Sequence, residues 1–202
     1  MMIAQASPAL ALRSQDGGWD RARWEQLPDD GNRYEVIDGV LYTITAPSAF
    51  HQWIIRQIVF TLHPLIDQSG IGVTLWSPIG LFMPGCDPVQ PDILVIRTAD
   101  LGMIHDRHIF GVPALLVEVL SPANANYDLQ IKRRAYANAG VPEYWIVRPA
   151  TRDLILCTQP DAALGDYAST QLVGPTDELR SPTLPVGTPV ARFFADAPDT
   201  TL

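Results

Sequence analysis

The sequence predicts an α/β fold in which a mixed central sheet is flanked by helices. Short runs rich in β-branched and aromatic residues alternate with two stretches of helical spacing. The run at 114–120 is apolar on both faces apart from one carboxylate, which is typical of a central strand covered on both sides. With 202 residues, 47% of them apolar, the chain has the length of one domain and can bury a sizeable core.

The first predicted elements are a short helix at 19–27 and a β-hairpin at 34–44. The hairpin is the strongest local signal, because Asp38-Gly39 lies between two β-rich runs and suits a type I′ turn.

A long helix follows at 48–68, where apolar residues recur three and four apart. Ser48 is its expected N-cap, and Pro64 is expected to kink or shorten its last turn. The remaining predicted elements are strands at 72–76, 79–83, 92–96, 114–120, 143–147 and 154–157, a polar loop at 98–107 and a helix at 126–139. The rest of the chain, rich in Pro, Gly and Thr, is expected to add two short strands near the C-terminus.

The predicted organisation is one domain at 19–190 between a flexible N-terminal tail at 1–18 and a C-terminal tail at 191–202. No run reaches the roughly 18 apolar residues of a membrane span, so we expect no membrane partner. Two cysteines are too few for a disulfide framework or a thiolate zinc site, and we interpret them as thiols in a reducing cytoplasm.

A buried acidic residue is the main sign of chemistry in the sequence. Glu118 lies inside the most hydrophobic strand, where a lone carboxylate is costly unless a bound cation or a lysine meets it. Lys132 lies on the next helix and shares a face with Asp128, while Asp92 opens a neighbouring strand. Two carboxylates around a hard cation, with a lysine beside them, are suited to cleaving a phosphodiester.

Four segments in this order resemble the Uma-two family, bacterial endonucleases of the PD-(D/E)XK superfamily with a restriction-endonuclease-like fold. They are Pro91-Asp92, the run at 117–122, Asp128-x-x-x-Lys132-x-x-x-Tyr136, and the run at 143–147. Tyr34-Glu35-x-x-Asp38-Gly39 and His51 also resemble the N-terminal half of that family, so the similarity extends from residue 34 to residue 147.

The resemblance implies that Asp92 and Glu118 bind a magnesium ion, with manganese as a substitute, and that Glu35 completes the metal site. The superfamily lysine is expected two residues after Glu118, where this chain has Leu120. The resemblance therefore implies that Lys132 takes its place in the catalytic set.

His51 is a secondary candidate, for phosphate contact, and Asp128 is another. Several of these residues also have a purely structural interpretation. Asp92 could accept from backbone amides at a strand start, and Glu35 could lie on an exposed strand face. Asp128 suits the first turn of a helix, Lys132 suits a solvated helix face, and His51 suits capping or packing.

The predicted function is therefore a metal-dependent endonuclease that hydrolyses DNA, acting as a homodimer so that two sites cut two strands. Its alternative is a catalytically silent nuclease-fold module that binds DNA or protein. The carboxylates and lysine favour the enzyme, whereas a net charge of −8 counts against it because phosphate contacts dominate affinity for nucleic acid. Only 18% of the residues are charged, which suggests a covered apolar surface on the strands from Leu154 onward.

Overall fold

The computed structural model describes residues 12–44, 46–121 and 125–197. The helices in these ranges are α1 (Arg21–Trp24), α2 (Ala49–Ile66) and α3 (Arg133–Ala139), with a π-helix at Tyr127–Lys132 and 3-10 helices at Thr98–Met103 and Val190–Phe194. The strands are β1 (Leu12–Arg13), β2 (Arg33–Ile37), β3 (Val40–Ile44), β4 (Gly72–Trp76), β5 (Gly80–Met83), β6 (Cys86–Val89), β7 (Ile93–Arg97), β8 (His108–Phe110), β9 (Leu115–Val119), β10 (Glu143–Arg148), β11 (Asp153–Asp161), β12 (Asp166–Val173), β13 (Glu178–Arg180) and β14 (Gly187–Pro189).

Two six-stranded sheets organise the fold. The first has the order β1-β3-β2-β6-β5-β8, and the second has the order β12-β11-β10-β9-β7-β4. Both are mixed, because β5 and β8 are parallel in the first and β9 and β10 are parallel in the second. The predicted α/β fold with helices and extra C-terminal strands is confirmed, and the strands divide over two sheets where one was expected.

The second sheet is covered on both faces. One face packs against α2 and the C-terminal 3-10 helix, with Ile58, Val117 and Phe193 in the same hydrophobic cluster. The other face packs against the first sheet and α3, with Leu116 and Tyr136 in that second cluster. Strand β9 is buried along its whole length, which confirms the prediction of a central strand.

The predicted hairpin is confirmed. Strands β2 and β3 pair in antiparallel register around Asp38 and Gly39. Both turn residues have positive φ angles, 48° and 72°, as a type I′ turn requires. Gly39 meets this requirement without steric cost.

The long helix also forms as predicted. Ser48 is its N-cap and accepts a hydrogen bond from the His51 backbone N–H at 3.1 Å. The helix continues through Pro64 to Ile66. Pro64 lacks the N–H that would have bonded the carbonyl of Phe60.

The predicted helix at 126–139 forms, but part of it is a π-helix. Residues Tyr127–Lys132 form a π-helix, and α-helical residues lie before it at 125–126 and after it at Arg133–Ala139. Gly140 then ends the helix in the left-handed conformation, with φ of 81°.

The chain ends differ from the predicted boundaries. Leu12 and Arg13, which lie in the N-terminal tail predicted at 1–18, pair with β3. Phe193 and Phe194, which lie in the C-terminal tail predicted at 191–202, are buried against the second sheet. Residues 1–11 and 198–202 lie outside the described residues.

Two further expectations concern the chain as a whole. Cys86 and Cys157 are both free and buried, as the thiol interpretation requires. Among the described helices, none is long and apolar enough to cross a membrane.

Candidate functional site

Asp92 and Glu118 lie side by side at one end of the second sheet. Strands β7 and β9 pair with Ile93 opposite Val117, and Asp92 and Glu118 are the residues next to this pair. Asp92 Oδ2 also accepts the Val119 backbone N–H at 2.9 Å, and both carboxylates are buried.

Lys132 reaches this pair from the π-helix. Its Nζ lies 2.7 Å from Glu118 Oε1 and 3.2 Å from Glu35 Oε1. Asp128 Oδ1 is 3.9 Å away, on the same helical segment. Position 120, where the superfamily lysine is expected, is a leucine on the segment that follows β9. The ammonium that contacts Glu118 comes from Lys132, on the π-helix.

The π-helical turn explains which side chains meet the carboxylates. A π-helix bonds residues five apart, so Tyr127 and Lys132 project to the same side. Tyr136, one α-turn further on, donates its hydroxyl to Glu118 Oε1 at 2.8 Å. Such π-segments occur frequently at functional sites.

Glu35 is fully buried, which excludes the exposed strand face considered from the sequence. Its Oε1 accepts the Gln90 backbone N–H at 2.8 Å and faces Lys132, and its Oε2 accepts the Tyr127 hydroxyl at 2.6 Å. Both of its oxygens are thus taken by donors from the protein.

His51 contacts Asp92 from the first turn of α2. Its Nε2 lies 3.1 Å from Asp92 Oδ2, and its Nδ1 is buried without a partner among the described residues. Burial alone would lower the pKa of His51, but the hydrogen bond to Asp92 and the charges of Asp92 and Glu118 outweigh it and raise that pKa. Burial likewise opposes ionisation of Asp92, and the His51 contact outweighs it and lowers the pKa of Asp92.

The site holds more acidic groups than cations. Burial raises the pKa of Glu118 to about 7. The positive charge of Lys132 opposes this shift, and the negative charge of Asp92 adds to it. Burial also raises the pKa of Asp128 well above its usual range. For Lys132, burial is outweighed by the surrounding carboxylates, which raise its pKa and keep it charged.

The donor atoms that remain suit a magnesium ion held mainly by oxygen. Asp92 Oδ1 and Glu118 Oε2 receive no hydrogen bond from any described residue. Across the described ranges, no three His, Cys, Asp or Glu side chains form a ready metal cluster. Magnesium is commonly bound by one or two carboxylates together with waters and substrate phosphates, so Asp92 and Glu118 fit it, whereas both Glu35 oxygens already accept hydrogen bonds from the protein.

Sequence reasoning missed several contributors to the site. Tyr127 and the Gln90 amide hold Glu35, and the Tyr136 hydroxyl, which the sequence analysis gave no role, bonds Glu118. Arg33 shares a face of β2 with Glu35 and donates to the Gln90 carbonyl at 2.7 Å, and its charge helps to lower the pKa of Asp92. The spacing Arg33-x-Glu35 was the available signal for this residue.

Comparisons with known proteins add a family and a fold. Residues 21–191 match the model of the family Uma2, described as "Putative restriction endonuclease". Among solved structures, the chain is similar to that of a protein from Anabaena variabilis described as "a putative nuclease belonging to DUF820". This similarity has a TM-score of 0.73 at 15% identity and covers 87% of this chain and 97% of the other, so it shows the fold. No curated protein matches the chain.

Proposed function

The chain belongs to the Uma2 family of "putative restriction endonucleases", and from this premise we propose that it is a magnesium-dependent endonuclease that hydrolyses phosphodiester bonds in DNA. This membership confirms the resemblance drawn from the ordered motifs. One observation carries the proposal: Asp92, Glu118 and Lys132, distant in sequence, meet at one end of the second sheet.

In this proposal Asp92 and Glu118 hold the divalent cation, which when bound polarises a phosphoryl oxygen and lowers the pKa of a bound water. The Val119 amide and His51 fix the orientation of the Asp92 carboxylate. Lys132 supplies the positive charge that stabilises negative charge developing on the phosphate.

Glu35 has a supporting role in this proposal. Because both of its oxygens accept hydrogen bonds from the protein, we assign it to holding the Lys132 ammonium beside Glu118. This replaces the metal-binding role that the resemblance implied.

The test is cleavage of supercoiled plasmid, linear duplex and single-stranded DNA with magnesium or manganese. We expect the parent protein to cut at least one of these substrates, and Glu118→Gln and Asp92→Asn to be inactive. Asp166→Asn is the matched control, because Asp166 also pairs with a cation, Arg133, but lies on β12 outside the site. A parent that cuts no DNA with either metal would favour the silent binding module.

A homodimer is the second part of the proposal. Leu164 and Leu172 are exposed beside and on the edge strand β12, in the C-terminal region expected to self-associate. Sedimentation should give a species of twice 22.2 kDa at micromolar concentration, and a monomer alone would exclude it.

A further inference from the structure

Arg33 is a partly exposed cation that is joined to the candidate site through one backbone segment. It lies on β2 two residues before Glu35, so the two side chains share a face of the strand. Arg33 Nη2 donates to the Gln90 carbonyl at 2.7 Å, and Glu35 accepts the Gln90 backbone N–H at 2.8 Å. Gln90 is two residues before Asp92, so the guanidinium lies close to the segment that carries a candidate metal ligand.

No carboxylate of the described residues lies within ion-pair distance of Arg33. The other two cations of the site are already paired with acids, since Lys132 contacts Glu118 and His51 contacts Asp92. Arg33 instead donates to a backbone carbonyl, and its buried Nε has no partner in the described part of the chain. A buried N–H without an acceptor is costly, so a donor kept free beside a site is suited to a ligand that brings its own oxygens.

Arg33 also acts on the site electrostatically. Its positive charge helps to lower the pKa of Asp92, and a charge has this effect only at short range. Arg33 is partly exposed whereas Lys132 is buried, so a substrate that arrives from solvent can reach the guanidinium. In a chain with a net charge of −8, an unpaired cation at this position gives an anionic strand a local attraction.

We infer, building on the function proposed above, that Arg33 binds a phosphate of the DNA strand next to the scissile phosphate. A guanidinium presents several N–H donors in a planar fork that matches the oxygens of a phosphate. Lys132 is less suited to this contact, because its ammonium is held between two carboxylates. A phosphate contact carries no base information, so Arg33 should contribute to the affinity for DNA of any sequence.

The test is the salt dependence of DNA binding. Binding of a fluorescein-labelled oligomer, as duplex and as single strand, is measured by fluorescence anisotropy with calcium at several salt concentrations, and cleavage is measured with magnesium. Circular dichroism checks that each variant is folded at the assay temperature.

The variants separate the charge of Arg33 from its shape. Arg33→Gln removes the charge but keeps an amide donor, and Arg33→Lys keeps the charge but not the planar fork. Arg97→Gln is the matched control, because Arg97 also donates to a backbone carbonyl, that of Thr183 at 2.8 Å. Arg97 lies at the other end of β7 from Asp92, roughly 16 Å along the strand.

Arg33→Gln should weaken DNA binding by at least about tenfold, the scale of one charge-assisted hydrogen bond, and should raise KM more than it lowers kcat. The slope of log affinity against log salt should become less steep by about 0.9 on duplex or about 0.7 on a single strand, because one fewer counterion is released. Arg33→Lys should keep the parental slope at reduced affinity, and Arg97→Gln should keep both.

Parental affinity and slope in Arg33→Gln would overturn this inference while leaving the proposed endonuclease intact if the parent cuts DNA. A weaker affinity at an unchanged slope would also overturn it, since a purely structural change around Gln90 has that result. If Arg33→Gln does not fold, Arg33→Lys decides, and parental affinity in that variant would overturn the inference. A parent that neither binds nor cuts any DNA would overturn both.

Discussion

Replacing Lys132 with methionine removes the ammonium but keeps an unbranched side chain of similar length. The site then loses the cation that contacts Glu118 at 2.7 Å and Glu35 at 3.2 Å. At an effective dielectric constant of about 20, these two contacts correspond to attractions of about 6 and about 5 kcal/mol. The cost of desolvating the ammonium offsets much of this, and removing one partner of a buried ion pair costs about 3–5 kcal/mol.

For a chain of this length, the lost stability should lower Tm by roughly 6–20 °C at pH 8. The loss should shrink as pH falls, because Glu118 and Asp128, whose pKa values burial raises, then take up protons and no longer need a cation. Thermal unfolding followed by circular dichroism at pH 5.5 and pH 8 measures both effects. Equal destabilisation at the two pH values would contradict this electrostatic explanation.

The effect on activity is measured at a temperature where the variant is folded. We expect Lys132→Met to bind magnesium or manganese at least as well as the parent, because a positive charge has left the site. Its kcat for DNA cleavage should fall at least about a hundredfold, the scale of losing one oriented electrostatic contact in the transition state. Lys132→Arg should rescue poorly, since a planar guanidinium does not fit where a compact ammonium contacts two carboxylates. Cleavage by folded Lys132→Met at the parental rate would refute the role given to Lys132.

Four further outcomes follow from the structure. Burial raises the pKa of Glu118 to about 7, so protons should compete with the metal below that pH. The affinity for magnesium or manganese should fall by about tenfold for each pH unit well below 7, as measured by titration calorimetry. Constant affinity between pH 6 and 8 would contradict this. Glu35→Gln should keep metal affinity within about twofold while lowering kcat by at least about tenfold through a displaced lysine, and a large loss of metal affinity would make Glu35 a ligand instead. The pKa of Asp128 is raised in the folded protein, so its ionised carboxylate lowers the stability of the fold, and this cost grows as pH rises above the pKa of the unfolded chain. Asp128→Asn should therefore raise Tm at pH 8 but not at pH 4. A lower Tm at pH 8 would count against this. Phe193→Ala should cost about 3–5 kcal/mol of unfolding free energy in a denaturant titration, and a negligible loss would restore the predicted C-terminal tail.

Local chemistry allowed much of the fold to be predicted. The hairpin follows from a dipeptide that tolerates positive φ, and α2 follows from helical spacing behind a serine cap. Strand β9 was predicted from an apolar run that contains one carboxylate, Glu118. The cost of burying that carboxylate was also the observation from which the site was predicted.

The parts that escaped prediction depend on contacts between distant segments. Strands β6 and β8 are only four and three residues long, and Pro88 lies inside β6, so neither has a periodic signal of its own. A spacing rule based on the α-helix cannot predict the π-helical turn. It therefore cannot predict the hydrogen bond from Tyr127 to Glu35 either, which joins residues 92 positions apart.

The candidate site also has a cost that a purely structural protein would have no reason to keep. Four buried or nearly buried acids, at Glu35, Asp92, Glu118 and Asp128, surround one ammonium and one imidazole. A relative released from catalysis would gain heat resistance by exchanging these acids for amides or apolar side chains, since a well-packed neutral cluster replaces a buried ionic one at little cost or with a gain. The number of acids retained at these four positions should therefore separate active from silent members of the family, with the silent ones melting at higher temperatures.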